Sequence, residues 1–493
     1  MKTLNLEQIL QQYFSYKSFR TGQKEIIQSV LNKNHTLALL PTGTGKSLCY
    51  QLPGYILDGI ILIVSPLLSL MQDQVEQMKL IGEKRVVAIN SFLTFEERIY
   101  ILKHIQDYKF IYISPEMLQN EQIISVLKDA NIDLLVVDEA HCISQWGYDF
   151  RPDYLELGIV REKLNNPLTL ALTATAKLDV RKDIKKTLLI EDAKEYIYSM
   201  DRPNIALQIE RIQDYPAKLN RLIELVDQLQ GPGIIYFSSK KKADEIAAII
   251  NEKGIGQAAS YHAGLEQEMR ILLQQQFLYN HINIMCATSA FGMGVNKENV
   301  RYIIHFHPPL NIESYLQEIG RAGRDGKDSI AIMLYSDDDY FLQQQLIEHE
   351  LPNEKHIDFF VNLVRSSKGN EVNQITKYQP FPGFTDVHWR LLWKFYESSN
   401  NLQEFQMNMT SFIQSRLSIK KEKLKELTNW ITNSGCRRRN ILHLFEEENE
   451  EVENCCDYCG IDMSYYEKQK PSDQGKQILQ WKDRLKSIFS FSD

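Results

Sequence analysis

The 493-residue chain has no apolar run long enough to span a bilayer, and polar residues interrupt the apolar ones at its start, MKTLNLEQILQQYF. A membrane-spanning helix and a secretory leader are thereby excluded as readings, and the expectation is a cytoplasmic protein with no membrane partner. An excess of positive charge is also missing. The formal net charge is −8, which taken alone argues mildly against a nucleic-acid partner, because phosphate binding rests on Lys and Arg. The acidic excess is uneven, however, with runs at residues 446–453 and 337–339, and only the charge along one groove matters for holding a strand. Cysteine is scarce: of seven, Cys49, Cys142 and Cys286 stand singly. The other four, Cys436, Cys455, Cys456 and Cys459, fall within 24 residues, a clustering that in a cytoplasmic chain favours a metal over disulfides.

What the chain does have is alternation. Short apolar runs at 36–40, 59–65, 109–114, 132–138 and 169–176 are separated by amphipathic stretches. Continuous apolar strands interleaved with helical patterns predict an α/β fold with a parallel sheet covered on both faces. The pattern restarts at 233–238, 282–288, 300–306 and 329–335, so two α/β lobes in series are expected, joined near MDRPNI (200–205), where Pro203 breaks regular structure. Beyond about residue 345 the alternation stops, and helical patterns carry Phe359, Phe360, Trp389, Trp393 and Phe395.

TLALLPTGTGKS reads as strand, glycine turn and helix start. Gly43 and Gly45, with Thr42 and Thr44 between and beside them, let main-chain N–H groups face a phosphate. Lys46 would reach the β- and γ-phosphates of ATP and Ser47 would place its hydroxyl on magnesium. Leu40 stands where the general pattern has its first glycine. About ninety residues on, LLVVDEAH is a buried strand ending in two carboxylates, at the edge where open α/β sheets bind ligands. Asp138 would hold magnesium, and Glu139 would orient and deprotonate the attacking water. The second lobe offers Arg321 and Arg324 in YLQEIGRAGRDG. An arginine there neutralises transition-state charge, and its position on the other lobe couples hydrolysis to lobe closure.

These segments resemble the RecQ family of superfamily 2 DNA helicases. In SYKSFRTGQ the resemblance implies that Tyr16 stacks on adenine, Gln23 reads its edge and Arg20 supports the nucleotide. DEAHCISQWGYDFRPDY (138–154) resembles the family's aromatic-rich loop that joins DNA contact to hydrolysis, with Trp146, Phe150 and Arg151 as DNA-binding residues; stacking aromatics beside an arginine suit a single strand. SPLLSLMQDQV, ISPEML, LTATA, IIYFSSKKKADEIA, YHAGL and CATSAFGMGVNKENVRYIIHF extend the resemblance over roughly residues 8–340. Thr173 and Thr175 would pass the nucleotide state to the DNA groove, and His262 and Asn296 would contact the strand or the facing lobe.

The resemblance implies an ATP-dependent helicase moving 3′ to 5′ on single-stranded DNA and unwinding partial duplexes in repair and recombination, with partners such as a single-strand-binding protein. The implied plan is two tandem RecA-like lobes (1–203 and 204–345), a helical insertion that could be winged-helix-like (346–418), a zinc subdomain (419–462) and a tail (463–493). Cys436, Cys455, Cys456 and Cys459 would close a tetrahedral zinc site. Cys455 and Cys456 are adjacent, unlike the family's usual spacing. Either the loop accommodates both at some backbone strain, or Asp457 or His443 replaces one. Arg437, Arg438 and Arg439 are read as phosphate contacts, partners of the acidic run or a solvated face. Only 34 residues follow Cys459, too few for the family's usual winged helix. A DNA-stimulated ATPase that remodels or anneals DNA with little processive unwinding is therefore the alternative activity.

Overall fold

The computed structural model describes residues 5–66, 68–90, 92–144, 151–291, 297–366, 383–448 and 451–468. Each apolar run of the first lobe becomes a strand: β1 (Thr36–Leu39), β2 (Ile60–Val64), β4 (Phe110–Ile113), β5 (Ile132–Val137) and β6 (Leu168–Thr173), joined by β3 (Val86–Ile89) and β7 (Lys194–Ile197). They form a parallel sheet in the order β3-β4-β2-β5-β6-β1-β7. The five residues of β2 are all buried, as a strand covered on both faces requires. One face packs Leu37, Leu62 and Val137 against helices, the other Ala38, Ile63 and Val136.

The second lobe repeats the plan with β8 (Ile205–Arg211), β9 (Gly233–Tyr236), β10 (Ala258–Tyr261), β11 (Ile284–Ala287), β12 (Tyr302–His305) and β13 (Ser329–Tyr335). Its order is β10-β11-β9-β12-β13-β8, again parallel. The fold class expected from the alternation is what the two sheets display.

After β13 the described residues are helical as far as the last cysteines. Helices Asp337–Glu350, Glu354–Ser366 and Asp386–Glu397 precede one of 31 residues, Leu402–Thr432, about 46 Å long at 1.5 Å per residue. Its first half lays Phe405, Met409 and Ile413 into a core with Phe360, Trp389 and Trp393. Its second half lays Leu427, Trp430 and Ile431 into the core of the second lobe. The boundaries expected at 345 and 418 thus fall inside continuous helices. The winged-helix expectation finds no strand among the described residues of 346–418, whose buried aromatics fill a helical core instead. In the expected tail, Tyr466 is buried against the second lobe, and Glu467 bridges Leu229.

Candidate active site

The carboxyl ends of β5, β6 and β1 lie side by side, and the nucleotide motifs sit on them. The turn after β1 needs its glycines: Gly43 has φ +87° and Gly45 φ +78°. A Cβ on Gly43 would lie 2.9 Å from Arg324 Cγ, so the second lobe's arginine packs directly on this turn. Lys46 Nζ lies 3.5 Å from Glu139 Oε1, and His141 Nδ1 3.4 Å from Glu139 Oε2. Burial raises the Glu139 carboxyl, but Lys46 and His141 outweigh it and hold it below the usual carboxylate range. Asp138 moves the other way, to about 6, through burial and the charge of Glu139. Two adjacent carboxylates in one enclosed site resist double ionisation unless a cation joins them. His141 Nδ1 also meets Thr173 Oγ1 at 3.0 Å, and Thr173 donates to the Thr175 carbonyl.

The second lobe closes the cleft. Helix Ile312–Ile319 ends in the turn carrying Arg321 and Arg324. Both guanidiniums line the cleft with Tyr16, Lys46, Ser47 and Asp138. Arg324 is pushed down to about 9 by burial and by neighbouring Arg321 and Arg202. Guanidiniums crowded against one another mark a place that suits a polyanion. Gly320 touches the phosphate turn so closely that a Cβ would fall 1.7 Å from Thr42 Oγ1.

Arg20, Gln23 and Tyr16 border the same cleft. Gln23 Nε2 donates to the carbonyls of Thr44 (2.8 Å) and Gly45 (3.1 Å), bracing the phosphate turn in this structure. Arg20 Nη1 donates to the Gly43 carbonyl at 2.6 Å, and its Nη2 pairs with Glu298 of the second lobe at 3.5 Å. Tyr16 is exposed, its ring 6.5 Å from that of Phe14. Trp146, Phe150 and Asn296 lie outside the described residues. Arg151 donates to the Pro66 carbonyl at 2.7 Å and Tyr154 to the Asp138 carbonyl at 3.1 Å, fastening one end of the aromatic-rich loop to the segments that follow β2 and β5. His262 Nε2 faces Asp244 within its own lobe.

The four clustered cysteines come together, their sulphurs all within 4.8 Å of one another. Cys436 Sγ is 3.6 Å from Cys455 Sγ and 3.9 Å from Cys456 Sγ. Four thiolates about 2.3 Å from a tetrahedral zinc would stand about 3.8 Å apart, so the set fits. Within the cluster Cys456 is pulled down to about 4 by hydrogen bonding from Cys455 and by N–H groups of Cys459, Arg437 and Tyr458, while Cys455 and Cys459 are pushed up, so one thiolate is favoured among the four sulphurs. The adjacent pair is accommodated after a left-handed Asn454 (φ +50°). Neither Asp457 nor His443 joins the group, and Asp457 is paired with Arg437 at 3.0 Å.

Of the roles read for the arginine run from sequence, a solvated face holds for Arg439 alone, and Arg437 and Arg438 are structural. Arg437 ties Asp457 and the carbonyls of Trp430, Ile431 and Asn433 together. Arg438 is buried on the linker before β8, with the Arg202 and Ile205 carbonyls as acceptors. Only Arg439 is solvated. Arg202 itself, which no local motif announces, bridges the two lobes.

Known proteins resemble this chain in sequence and in fold. Sequence profiles described as DEAD/DEAH box helicase, Helicase conserved C-terminal domain and RecQ zinc-binding match residues 20–184, 217–326 and 400–460. The protein named Probable ATP-dependent DNA helicase RecS from Bacillus subtilis (strain 168) is 44% identical over 488 residues, covering 98% of each chain. ATP-dependent DNA helicase RecQ of Haemophilus influenzae is 40% identical over 71% of this chain, which spans only 56% of that protein. Two solved structures share the fold at 18% identity and TM-score 0.56, each over 69% of this chain. One is the DUF1998 helicase MrfA bound to DNA, of which 52% is covered, and the other S. cerevisiae Dbp5 bound to RNA and ADP BeF3, of which 89% is covered. No helix among the described residues is long and apolar enough to cross a membrane.

Proposed function

Because the chain belongs to the RecQ family of ATP-dependent DNA helicases, we propose that it hydrolyses ATP in the cleft between its lobes to move 3′ to 5′ along single-stranded DNA, opening duplexes in repair and recombination. The observation that carries this reading is the convergence of Lys46, Ser47, Asp138 and Glu139 from one lobe with Arg321 and Arg324 from the other. In this reading Lys46 and the N–H groups of residues 42–47 hold the β- and γ-phosphates. Ser47 and Asp138 hold magnesium, which supplies charge neutralisation when bound. Glu139, ionised because Lys46 and His141 flank it, orients and deprotonates the attacking water. Arg321 and Arg324 meet the charge that develops on the γ-phosphate. Tyr16 and Arg20 serve the base end. Trp146, Phe150 and Arg151 contact the strand, and the fastening of that loop to the Asp138 strand end supports coupling of DNA to hydrolysis. Cys436, Cys455, Cys456 and Cys459 hold a structural zinc ion.

ATP turnover measured with single-stranded DNA, with RNA and with neither tests this reading. DNA is expected to raise kcat well above both other conditions, and turnover indifferent to DNA would sink the motor. Lys46→Ala should abolish turnover while DNA binding persists; retained hydrolysis would mean that the phosphate loop is misassigned. The alternative is a DNA-stimulated ATPase that remodels or anneals DNA. It is favoured by the helical character of the described residues of 346–418, which form no paired strands to wedge a duplex. Strand displacement on 3′- and 5′-tailed duplexes separates the two.

A further inference from the structure

Four hydrogen bonds converge on one guanidinium to which the preceding roles assign nothing. Arg202 lies in the linker between β7 and β8. Its Nη1 donates to the carbonyls of Thr42 (3.2 Å), in the phosphate turn, and Gly320 (3.2 Å). Its Nη2 donates to the carbonyls of Ala322 (3.0 Å) and Gly323 (2.7 Å), the two residues between Arg321 and Arg324. One planar fork thus joins the loop that would hold the phosphates to the loop that carries the arginines. A compact ammonium on a flexible stem cannot match that geometry.

Arg202 is held in turn by the cysteine-rich subdomain. Arg438, 3% exposed, follows Cys436, the residue that caps its helix. Its guanidinium pairs with Asp201 and donates to the carbonyls of Arg202 (3.0 Å) and Ile205 (2.6 Å). Glu447 accepts from Ser199 Oγ at 2.6 Å and from the Met200 N–H at 3.2 Å. The linker on both sides of Arg202 is therefore clamped by residues 233 to 248 positions later in the chain.

We propose that Arg202 is a positioning residue for ATP hydrolysis, setting the spacing of the phosphate loop against Arg321 and Arg324, and that Arg438 fixes Arg202 and so links the cysteine-rich subdomain to the rate of turnover. This rests on the cleft being the ATPase site. The hydrogen bonds of the Arg202 guanidinium go to main-chain carbonyls, so its contacts act through the loops, while its charge also presses on Arg324. None of its hydrogen bonds goes to Tyr16 or Arg20 at the base end of the cleft. Loss of Arg202 should therefore lower kcat and leave the KM for ATP nearly unchanged.

The experiment is steady-state ATPase at saturating single-stranded DNA for the wild type, Arg202→Gln, Arg202→Lys, Arg438→Gln and the double variant Arg202→Gln/Arg438→Gln. Metal content, thermal midpoint and binding of a fluorescent ATP analogue are measured alongside. For Arg202→Gln the expected loss in kcat is about 100-fold, the scale of an ångström-sized misplacement, with KM and analogue affinity within about twofold and wild-type metal content. Arg438→Gln should lower kcat in the same direction. The double variant should be no slower than Arg202→Gln, because both changes act through one contact. A near-wild-type kcat for Arg202→Gln, a KM that rises as much as kcat falls, or losses that multiply in the double variant would each overturn the proposal. Should the Gln variant not fold, Arg202→Lys carries the same criteria. A wild type without DNA-stimulated turnover removes the ATPase reading as well, whereas an active wild type with an unaffected Arg202→Gln removes this proposal alone.

Discussion

Glu139 is held at φ +48° and ψ +46°, a left-handed conformation that costs a non-glycine residue roughly 1–3 kcal/mol and persists only where its surroundings enforce it. Here the turn aims the carboxylate between Lys46 and His141, so the strained backbone places it where two basic side chains favour its ionised form, as the proposed role of base requires. His307 is a second residue with a testable charge state. Its Nδ1 accepts from the Ser238 N–H at 3.2 Å, and burial, with Lys218 and Lys242 nearby, lowers it to about 3. A histidine depressed in the folded state contributes stability that is fully present above its unfolded value near 6.5 and is lost as pH falls toward 3. The thermal midpoint should therefore drop between pH 6.5 and 4, and His307→Asn should flatten part of that slope; an unchanged slope would exclude His307 as its source. Residues of this kind differ in how visible they are in sequence. Lys46, Asp138, Glu139, Arg321 and Arg324 could be read because phosphate chemistry demands those side chains at those spacings. Arg202 could not be, because its acceptors are carbonyls, which every residue possesses.

At the scale of elements the same contrast has a geometric origin. The nine strands that apolar runs announce lie inside the sheets or reach their edges only through neighbours. The four they do not announce, β3, β7, β8 and β10, are the outermost strands. An edge strand has only one neighbour in its sheet, and in the KEYI of β7 three of four residues are exposed, although β3 and β8 are largely buried. The long helix was hidden for a different reason. Its two halves serve separate cores, Phe405 and Met409 in one, Leu427 and Trp430 in the other, so a change of partners along one helix looked like a domain boundary. The cysteine loop allows a sharper prediction. Since Cys455 and Cys456 both reach the group of four, Cys455→Ser and Cys456→Ser should each lower bound zinc in metal analysis of the purified protein. Full zinc in either variant would show that three thiolates and another ligand suffice.

For the whole molecule, the decisive contact is the one between lobes. Gly320 fits against Thr42 with no room for a methyl group, while its own backbone, at φ −61°, would accept alanine without strain. Gly320→Ala should therefore fold, keep its metal and its thermal midpoint, and lose at least about tenfold in kcat because the lobes cannot close. Wild-type turnover in that variant would mean that hydrolysis proceeds from a more open arrangement. The joint between the cysteine loop and β8 has a consequence of another kind. The Leu207 N–H donates to the Cys455 carbonyl, and the Asp457 N–H donates to the Leu207 carbonyl, so the loop occupies the outer rim of the second sheet. An uncovered rim is a template for pairing with other chains. A nascent polypeptide makes β8 some 250 residues before the segment that covers it, and during that interval the rim is open to pairing with other chains. The cysteine loop closes that rim only when synthesis reaches it, so the second sheet is completed by the last part of the described chain.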